Sequence, residues 1–368
     1  LTVQADIKRT QLYNLQMALG ARTTTFAGWE MPVEYSGMKE EHISVRTAVG
    51  LFDISHLGQI EVSGPRTLDA VQLVTTNDAS RLTDDQIQYS LLCNPSGGII
   101  DDVTLYRFNE NRFMFSVNAV NADIDLSWLK ERIGDMASVV NLSHEYATLA
   151  IQGPLSQQVL QKICDTDLAL IKYYHFTISN ITSIKSIVSR TGYTGEDGFE
   201  IYIPVSAAEV VWNRIMEAGK DLGIKPCGLG ARDSLRLEMG YTLYGNDISE
   251  DTTPLEAGLE RFVKFQKKTF LGKEALLTQA HEGIKKRLTA FEMVGRGVPR
   301  SHYPIHAEGR KIGEVTSGGH APSIGKFIGM GYLETPFASI GSKINIEIRG
   351  KMVHAVIVPT PFYRRNRE

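Results

Sequence analysis

The chain has 368 residues, 42% hydrophobic and 22% charged, with a formal net charge of −3. That length predicts two or three domains rather than one small core. The near-neutral charge argues against a broad nucleic-acid footprint, and no run reaches the roughly 18 apolar residues of a membrane-spanning helix.

Residues 1–10 carry Asp6, Lys8 and Arg9 and no apolar segment, so no signal peptide is expected on this chain. Residues 37–50 predict a helix that ends at Gly50. Residues 58–64 alternate polar and apolar side chains, as a half-buried strand does, and 65–74 read as a helix. Strands are expected over 90–94 and 102–108 around a Ser96-Gly97-Gly98 turn, then over 112–118. An amphipathic helix follows over 123–133.

A second block opens with a strand over 148–154 and a helix striped by Leu155, Val159, Leu160 and Ile163. Strands at 184–189 and 199–205 flank a Gly-rich segment, and helices are predicted over 207–222 and 231–239. Ser206 is the expected N-cap of the first of these helices. From about residue 286 the pattern turns to short strands between Gly and Pro, at 288–293, 311–316, 343–348 and 352–358, which is the signature of a small β-barrel or sandwich. Cys93, Cys164 and Cys227 are few, odd in number and far apart, which disfavours a disulfide framework and fits a reducing compartment. His302 and His306 have helical metal-pair spacing, but Pro304 between them argues against a helix, so no bound metal is expected. The basic cluster Arg364-Arg365-Asn366-Arg367 reads as a solvated tail.

Four segments combine loop-forming glycines with charged or aromatic side chains: Phe52 to Gly58, Gly97 to Asp102, Arg190 to Glu200 and Gly228 to Glu238. In the second, Asp101 and Asp102 could be solvated hairpin acids or a catalytic group. On a strand they face opposite ways, so at most one enters a given pocket. In the third, alternation puts Glu200 and Tyr202 on one face and Phe199, Ile201 and Ile203 on the other. In the fourth, Arg232 falls in the first turn of a helix, where the macrodipole disfavours a cation, so a partner carboxylate or ligand is expected. That segment lacks the third glycine and the preceding strand of a dinucleotide fingerprint. His56 reads as a hydrogen-bonded structural histidine or, less simply, as a catalyst.

These segments come in a recognisable order. Phe26-Ala-Gly-Trp-Glu-Met-Pro32, Val45-Arg46, Phe52-Asp53-Ile54-Ser55-His56, Gly97 to Asp102, Ile151-Gln-Gly-Pro154, Arg190 to Glu200, Gly228 to Glu238, Leu243-Tyr-Gly245, Thr316-Ser-Gly318 and Pro361-Phe-Tyr-Arg364 resemble the glycine-cleavage T-protein family from about residue 8 to 365. The resemblance implies an α+β fold of three domains in a cloverleaf around a central folate channel, closed by a small C-terminal β-barrel of jelly-roll-like kind. The divisions would be 1–52 with 141–275, then 53–140, then 276–368. It implies an aminomethyltransferase that takes the methylene of an aminomethyl group on the dihydrolipoyl arm of H-protein. Tetrahydrofolate, as co-substrate, receives it, with release of ammonia. Asp102 would be the catalytic acid near N5 and N10 of the pterin, and Glu200 would take the pterin 2-amino group and N3–H. Tyr89, Asn118, Tyr193 and Leu57 would line the pterin site. Arg232 would help bind the folate, and Arg364 would face the channel mouth. The compartment would be a bacterial cytoplasm, or the mitochondrial matrix in a eukaryote, with no nucleic-acid or membrane partner.

The chain departs from the family pattern at Gln11, at Arg261 and at His320-Ala-Pro-Ser-Ile-Gly325; Arg261 stands where an aromatic is usual. Two other roles occur on related chains. A folate-binding scaffold carries a cysteine in the segment aligned with 190–196, absent here. A folate-dependent demethylase usually accompanies a flavin domain, for which the chain has no room.

Overall fold

A computed structural model describes residues 7–365. Asp6, and Asn366 and Arg367 of the basic tail, lie outside the described residues. The chain divides into two compact units. The first takes in residues up to Thr67, Leu82–Gln88 and Leu105–Asp233; the second takes in Leu68–Arg81, Tyr89–Thr104 and everything from Ser234.

The first unit is built on a six-stranded sheet in the order Phe176–Ile181, Ile184–Ser189, Gly198–Pro204, Tyr146–Gln152, Gly50–Asp53, Lys225–Pro226. The alternation in Gly198–Pro204 is as the sequence predicts. Phe199, Ile201 and Ile203 join Leu149, Ile151 and Val188 in one core, which the helices Ser156–Gln161 and Ala208–Gly219 cover with Val159, Leu160, Val211, Trp212 and Ile215. Each such side chain contributes about 1.5–3 kcal/mol when fully buried. Tyr202 points the other way, into a second cluster with Tyr106, Phe176 and Ile187. A further sheet runs Gln86–Cys93, Ile99–Asn109, Arg112–Val117, Gly58–Ser63, Ser138–Asn141.

Of the boundaries that differ from the sequence reading, two concern how helices start and stop. The helix expected to end at Gly50 spans Met38–Thr47, and Gly50 opens a strand. A Cβ there would sit 2.5 Å from Val45 Cγ2 and 2.7 Å from Cys227 Sγ, so the glycine serves close packing rather than a helix cap. The helix is instead set at its start, where buried Glu41 accepts from the N–H groups of Tyr35, Ser36 and Gly37 at 2.5, 3.0 and 3.3 Å. Ser206 is not an N-cap: it lies in the 3-10 turn Val205–Ala207, and the helix begins at Ala208 with no side-chain cap.

In the second unit the barrel closes with six strands, in the order Lys286–Met293, Lys326–Glu334, Arg310–Ala321, Pro304–Ala307, Lys343–Ile348, Lys351–Val358. Phe291, Ile305, Val315, Leu333, Ile344, Ile346 and Ile357 fill it. Four of these strands are predicted; Pro304–Ala307 and Lys326–Glu334 are not, because Pro and closely spaced Gly mask their alternation. His302 pairs with Glu314 and His306 with Glu347, and among the described residues no group of His, Cys, Asp and Glu could hold a metal ion. The three cysteines are unpaired and buried, and no described helix is long and apolar enough to cross a membrane.

Arg236 is one of the charged side chains buried in this unit. Its guanidinium donates to Asp247 Oδ2 at 2.7 Å and to Ser317 Oγ at 2.9 Å, with both members of the ion pair buried. Asp247 also accepts from Thr316 Oγ1, Ser317 Oγ and the Leu243 N–H. That knot accounts for two of the quoted motifs, 243–245 and 316–318. Arg236→Met leaves Asp247 buried without its cation, so we expect a loss of about 3–5 kcal/mol in urea unfolding. A loss under about 1 kcal/mol would show that the pair is dispensable.

Candidate functional site

The residues singled out by the sequence fall into two groups. Leu57, Asn118, Tyr193, Glu200 and Arg232 belong to the first unit; Tyr89, Asp102 and Arg364 belong to the second.

In the first unit the Gly-rich segment before Glu200 is fixed at both ends. Arg190 grips Asp197 through Nε at 2.9 Å and Nη2 at 2.6 Å, a fork-to-carboxylate pair, and also donates to Gln157 Oε1 and the Ile171 carbonyl. Arg46 donates to Glu196 at 3.0 Å and to the Thr194 carbonyl at 2.7 Å, both side chains being buried. Gln152 closes the middle, accepting from Thr194 Oγ1 and donating to the Thr191 carbonyl. A loop of small, flexible residues thereby becomes a rigid support for the strand that carries Glu200.

The Glu200 carboxylate accepts from Thr191 Oγ1 at 2.6 Å. Behind that bond runs a chain of hydroxyls: Thr191 to Ser189 at 2.9 Å, Ser189 to Tyr106 at 3.2 Å, Tyr106 to Tyr202 at 2.9 Å. Burial raises the pKa of Glu200, while the Thr191 bond and nearby Arg232 oppose that rise. Arg232, on the helix Leu229–Met239, lies over the Tyr193 ring at 4.7 Å. Burial lowers its pKa, against the pull of Tyr193 and Glu200. The cation near the helix start thus has an aromatic face as its contact, with the Glu200 charge near enough to act on it. Glu200, Arg232 and Tyr193 form one polar group, with neither charge fully solvated.

His56 sits beside this group. It is 3% exposed, its ring meets Phe26 edge-on at 5.8 Å, and its buried Nδ1 has no hydrogen-bond partner. Burial, and secondarily Arg232, push its pKa down to about 3, so the imidazole is neutral. The hydrogen-bonded structural histidine of the sequence reading is therefore not met at Nδ1. Leu57 and Asn118 are half-buried.

In the second unit the strand Ile99–Asn109 separates the two acids as alternation demands: Asp101 is fully buried, and Asp102 is half-buried. Tyr89 Oη donates to Asp102 Oδ2 at 3.0 Å, and the Tyr89 ring packs on Phe262 at 4.6 Å. The preceding turn is tied by Asn94 Oδ1, which accepts from the N–H groups of Ser96 and Gly98. Gly98 is required there, since a Cβ would lie 1.9 Å from the Glu250 carbonyl oxygen. Arg364 is exposed, two residues beyond Phe362, whose N–H bonds the Glu238 carbonyl at 2.8 Å.

Sequence reasoning missed Arg46, Glu196, Arg190 and Asp197 as supports, and Ser189, Thr191 and Tyr106 as the hydroxyl chain. Arg46 and Glu196 lie 150 residues apart and Tyr106 and Ser189 lie 83 apart, and local spacing carries no sign of such pairs.

Two family models cover almost the whole chain: the GCVT N-terminal domain over residues 12–267 and the glycine cleavage T-protein C-terminal barrel domain over 286–364. An aminomethyltransferase of Desulfitobacterium hafniense strain Y51 is 47% identical over 361 residues, covering 98% of this chain and 99% of that protein. An aminomethyltransferase of Caldanaerobacter subterraneus is 47% identical over 363 residues, covering 98% and 97%. The crystal structure of glycine cleavage system aminomethyltransferase T from Bartonella henselae superposes with a TM-score of 0.92 at 35% identity, covering 98% of this chain and 99% of that one.

The raised pKa of Glu200 fixes the sign of a stability effect. A carboxyl with a folded pKa above its unfolded value contributes stability that is full below the unfolded pKa. That stability is lost as pH rises through the folded value. At neutral pH the ionised group therefore costs stability, and Glu200→Gln is expected to melt a few degrees above the wild type, the gap closing as pH falls below about 4. A lower melting temperature at pH 7 would contradict the assigned burial cost.

Proposed function

The chain belongs to the glycine cleavage T-protein family, and from that membership we infer that it is an aminomethyltransferase. It moves the methylene of an aminomethyl group, carried on the dihydrolipoyl arm of a lipoylated H-protein, to tetrahydrofolate and releases ammonia. The observation that carries this reading is kinship along the whole chain with aminomethyltransferases at 45–47% identity. The three-part division at 1–52 with 141–275, 53–140 and 276–368 belongs to the same reading; the two compact units follow other boundaries.

The polar group of the first unit suits a reduced pterin. A half-buried carboxylate accepts well from two parallel N–H donors, the edge formed by the pterin 2-amino group and N3–H. We assign that role to Glu200. Arg232 balances the charge and binds the folate, with Tyr193, Asn118 and Leu57 as walls; the unpartnered Nδ1 of buried His56 marks a surface built for a polar guest. By the same kinship Tyr89 and Arg364 of the second unit are assigned to folate binding, and Tyr89, which donates to Asp102, is assigned to orient it.

Asp102 is the catalytic group in this reading. Loss of ammonia leaves positive charge on the methylene, and a fixed carboxylate close to the reacting nitrogens stabilises that charge without acting as a nucleophile. Binding two carriers in one water-poor place supplies the rest, because proximity replaces a collision. The compartment in this reading is the cytoplasm of a bacterium, in keeping with the bacterial relatives.

The test is direct. The protein is incubated with tetrahydrofolate and H-protein loaded with the aminomethyl group, and ammonia and methylenetetrahydrofolate are assayed. We expect both products in equal amounts; no release above a protein-free control refutes the reading. Asp102→Asn should lower turnover by about a hundredfold or more while folate still binds, a loss of the size seen when one group that stabilises transition-state charge is removed. Near-normal turnover in that variant would remove Asp102 from the chemistry.

A further inference from the structure

Lys267 is a lysine with no place in the reading above, and it is 7% exposed. Its Nζ donates to the Thr75 carbonyl at 2.5 Å and to the Asn77 carbonyl at 2.8 Å, and it lies 5.4 Å from the centre of the Phe270 ring. Burying an ammonium is costly, so two carbonyls and an aromatic face are a minimal set of compensations. The turn it grips leads onward. Asn77 Nδ2 donates to the Tyr89 carbonyl at 2.8 Å, the Asn77 N–H donates to Ser90 Oγ at 3.1 Å, and Thr76 Oγ1 donates to the carbonyl of Phe262, whose ring packs on Tyr89. Tyr89 Oη then reaches Asp102 at 3.0 Å. All these residues belong to one compact unit.

We infer that Lys267 is a positioning residue for the Asp102 carboxylate, acting through Asn77 and Tyr89. The inference rests on the catalytic role given above to Asp102. Tyr89 is held on two sides, by Asn77 at its backbone and by Phe262 at its ring. Both holds trace to the 75–77 turn, which charge-assisted bonds from Lys267 clamp. A shift of about 1 Å in a reacting group can cost a hundredfold in rate, so slack in that turn is read out at Asp102. The charge on Lys267 is itself adjustable. Burial lowers its pKa to about 7; Asp78 pulls the value up, and Lys273, whose Nζ bonds the Lys267 carbonyl at 2.5 Å, pushes it down. The ammonium is therefore present below about pH 7 and lost as pH rises through that value, and the clamp weakens with it.

The test uses the full chain with loaded H-protein and tetrahydrofolate, following kcat and the KM for folate from about pH 6 to 9, a range that brackets the value near 7. Wild-type kcat should fall as pH rises through about 7, by a larger factor than any change in the KM for folate. Lys267→Met should lower kcat by about tenfold or more at the acid end and flatten the profile. Lys267→Arg, charged throughout, should restore most of kcat and remove the inflexion. In a Tyr89→Phe background, neither change at Lys267 should lower kcat further. Wild-type kcat in Lys267→Met, or an equal loss with and without the Tyr89 hydroxyl, overturns the inference. If Lys267→Met fails to fold, Tyr89→Phe alone decides, since an inflexion kept in that variant overturns the inference and a lost one upholds it. No methylene transfer by the wild type would instead refute the underlying reading of function.

Discussion

Period-two alternation along Gly198–Pro204 is the constraint on which the first unit depends. One face of that strand supplies Phe199, Ile201 and Ile203 to the apolar core, and the other presents Glu200 and Tyr202. A register slip of one residue would put a carboxylate into the core and three large apolar side chains into the polar group. Burial of the apolar face therefore also holds Glu200 in place, and stability and site geometry have one cause.

The cost of that arrangement is electrostatic. Glu200 and Arg232 are both half-buried, and partial loss of water raises the pKa of the first and lowers that of the second. The segment before Glu200 is held by two ion pairs, the long-range Arg46 with Glu196 and the local Arg190 with Asp197. The second unit repeats the logic with Arg236 and Asp247, and holds Asp102 from behind through Tyr89. Charged groups with satisfied partners thus act as struts, and in the proposed function the less satisfied ones receive a ligand.

How much of this was legible in the sequence follows from the range of each interaction. The strand alternation at Glu200 and the barrel segments were readable, because period-two patterns are local. So was the opposite facing of Asp101 and Asp102, since a strand must separate them. The end of the helix at Thr47 was not: Gly50 looks like a helix terminator, and only the approach of Val45 and Cys227 shows why it is glycine. Ser206 misled in the same way, as a good capping residue in a 3-10 turn. The Tyr106 links of the hydroxyl chain and the Lys267 clamp join residues far apart in sequence, so no spacing could announce them. The assignment of particular residues to a folate came from resemblance and not from spacing.

The central claim is that the under-satisfied charges of the first unit receive the pterin. Calorimetric titration of the wild type and of Glu200→Ala with tetrahydrofolate, with no H-protein present, tests it most directly. The account predicts saturable binding by the wild type and a rise in dissociation constant of about tenfold or more in the variant, the loss expected when a charged acceptor for two donors is removed. Equal affinity in the two proteins would contradict it.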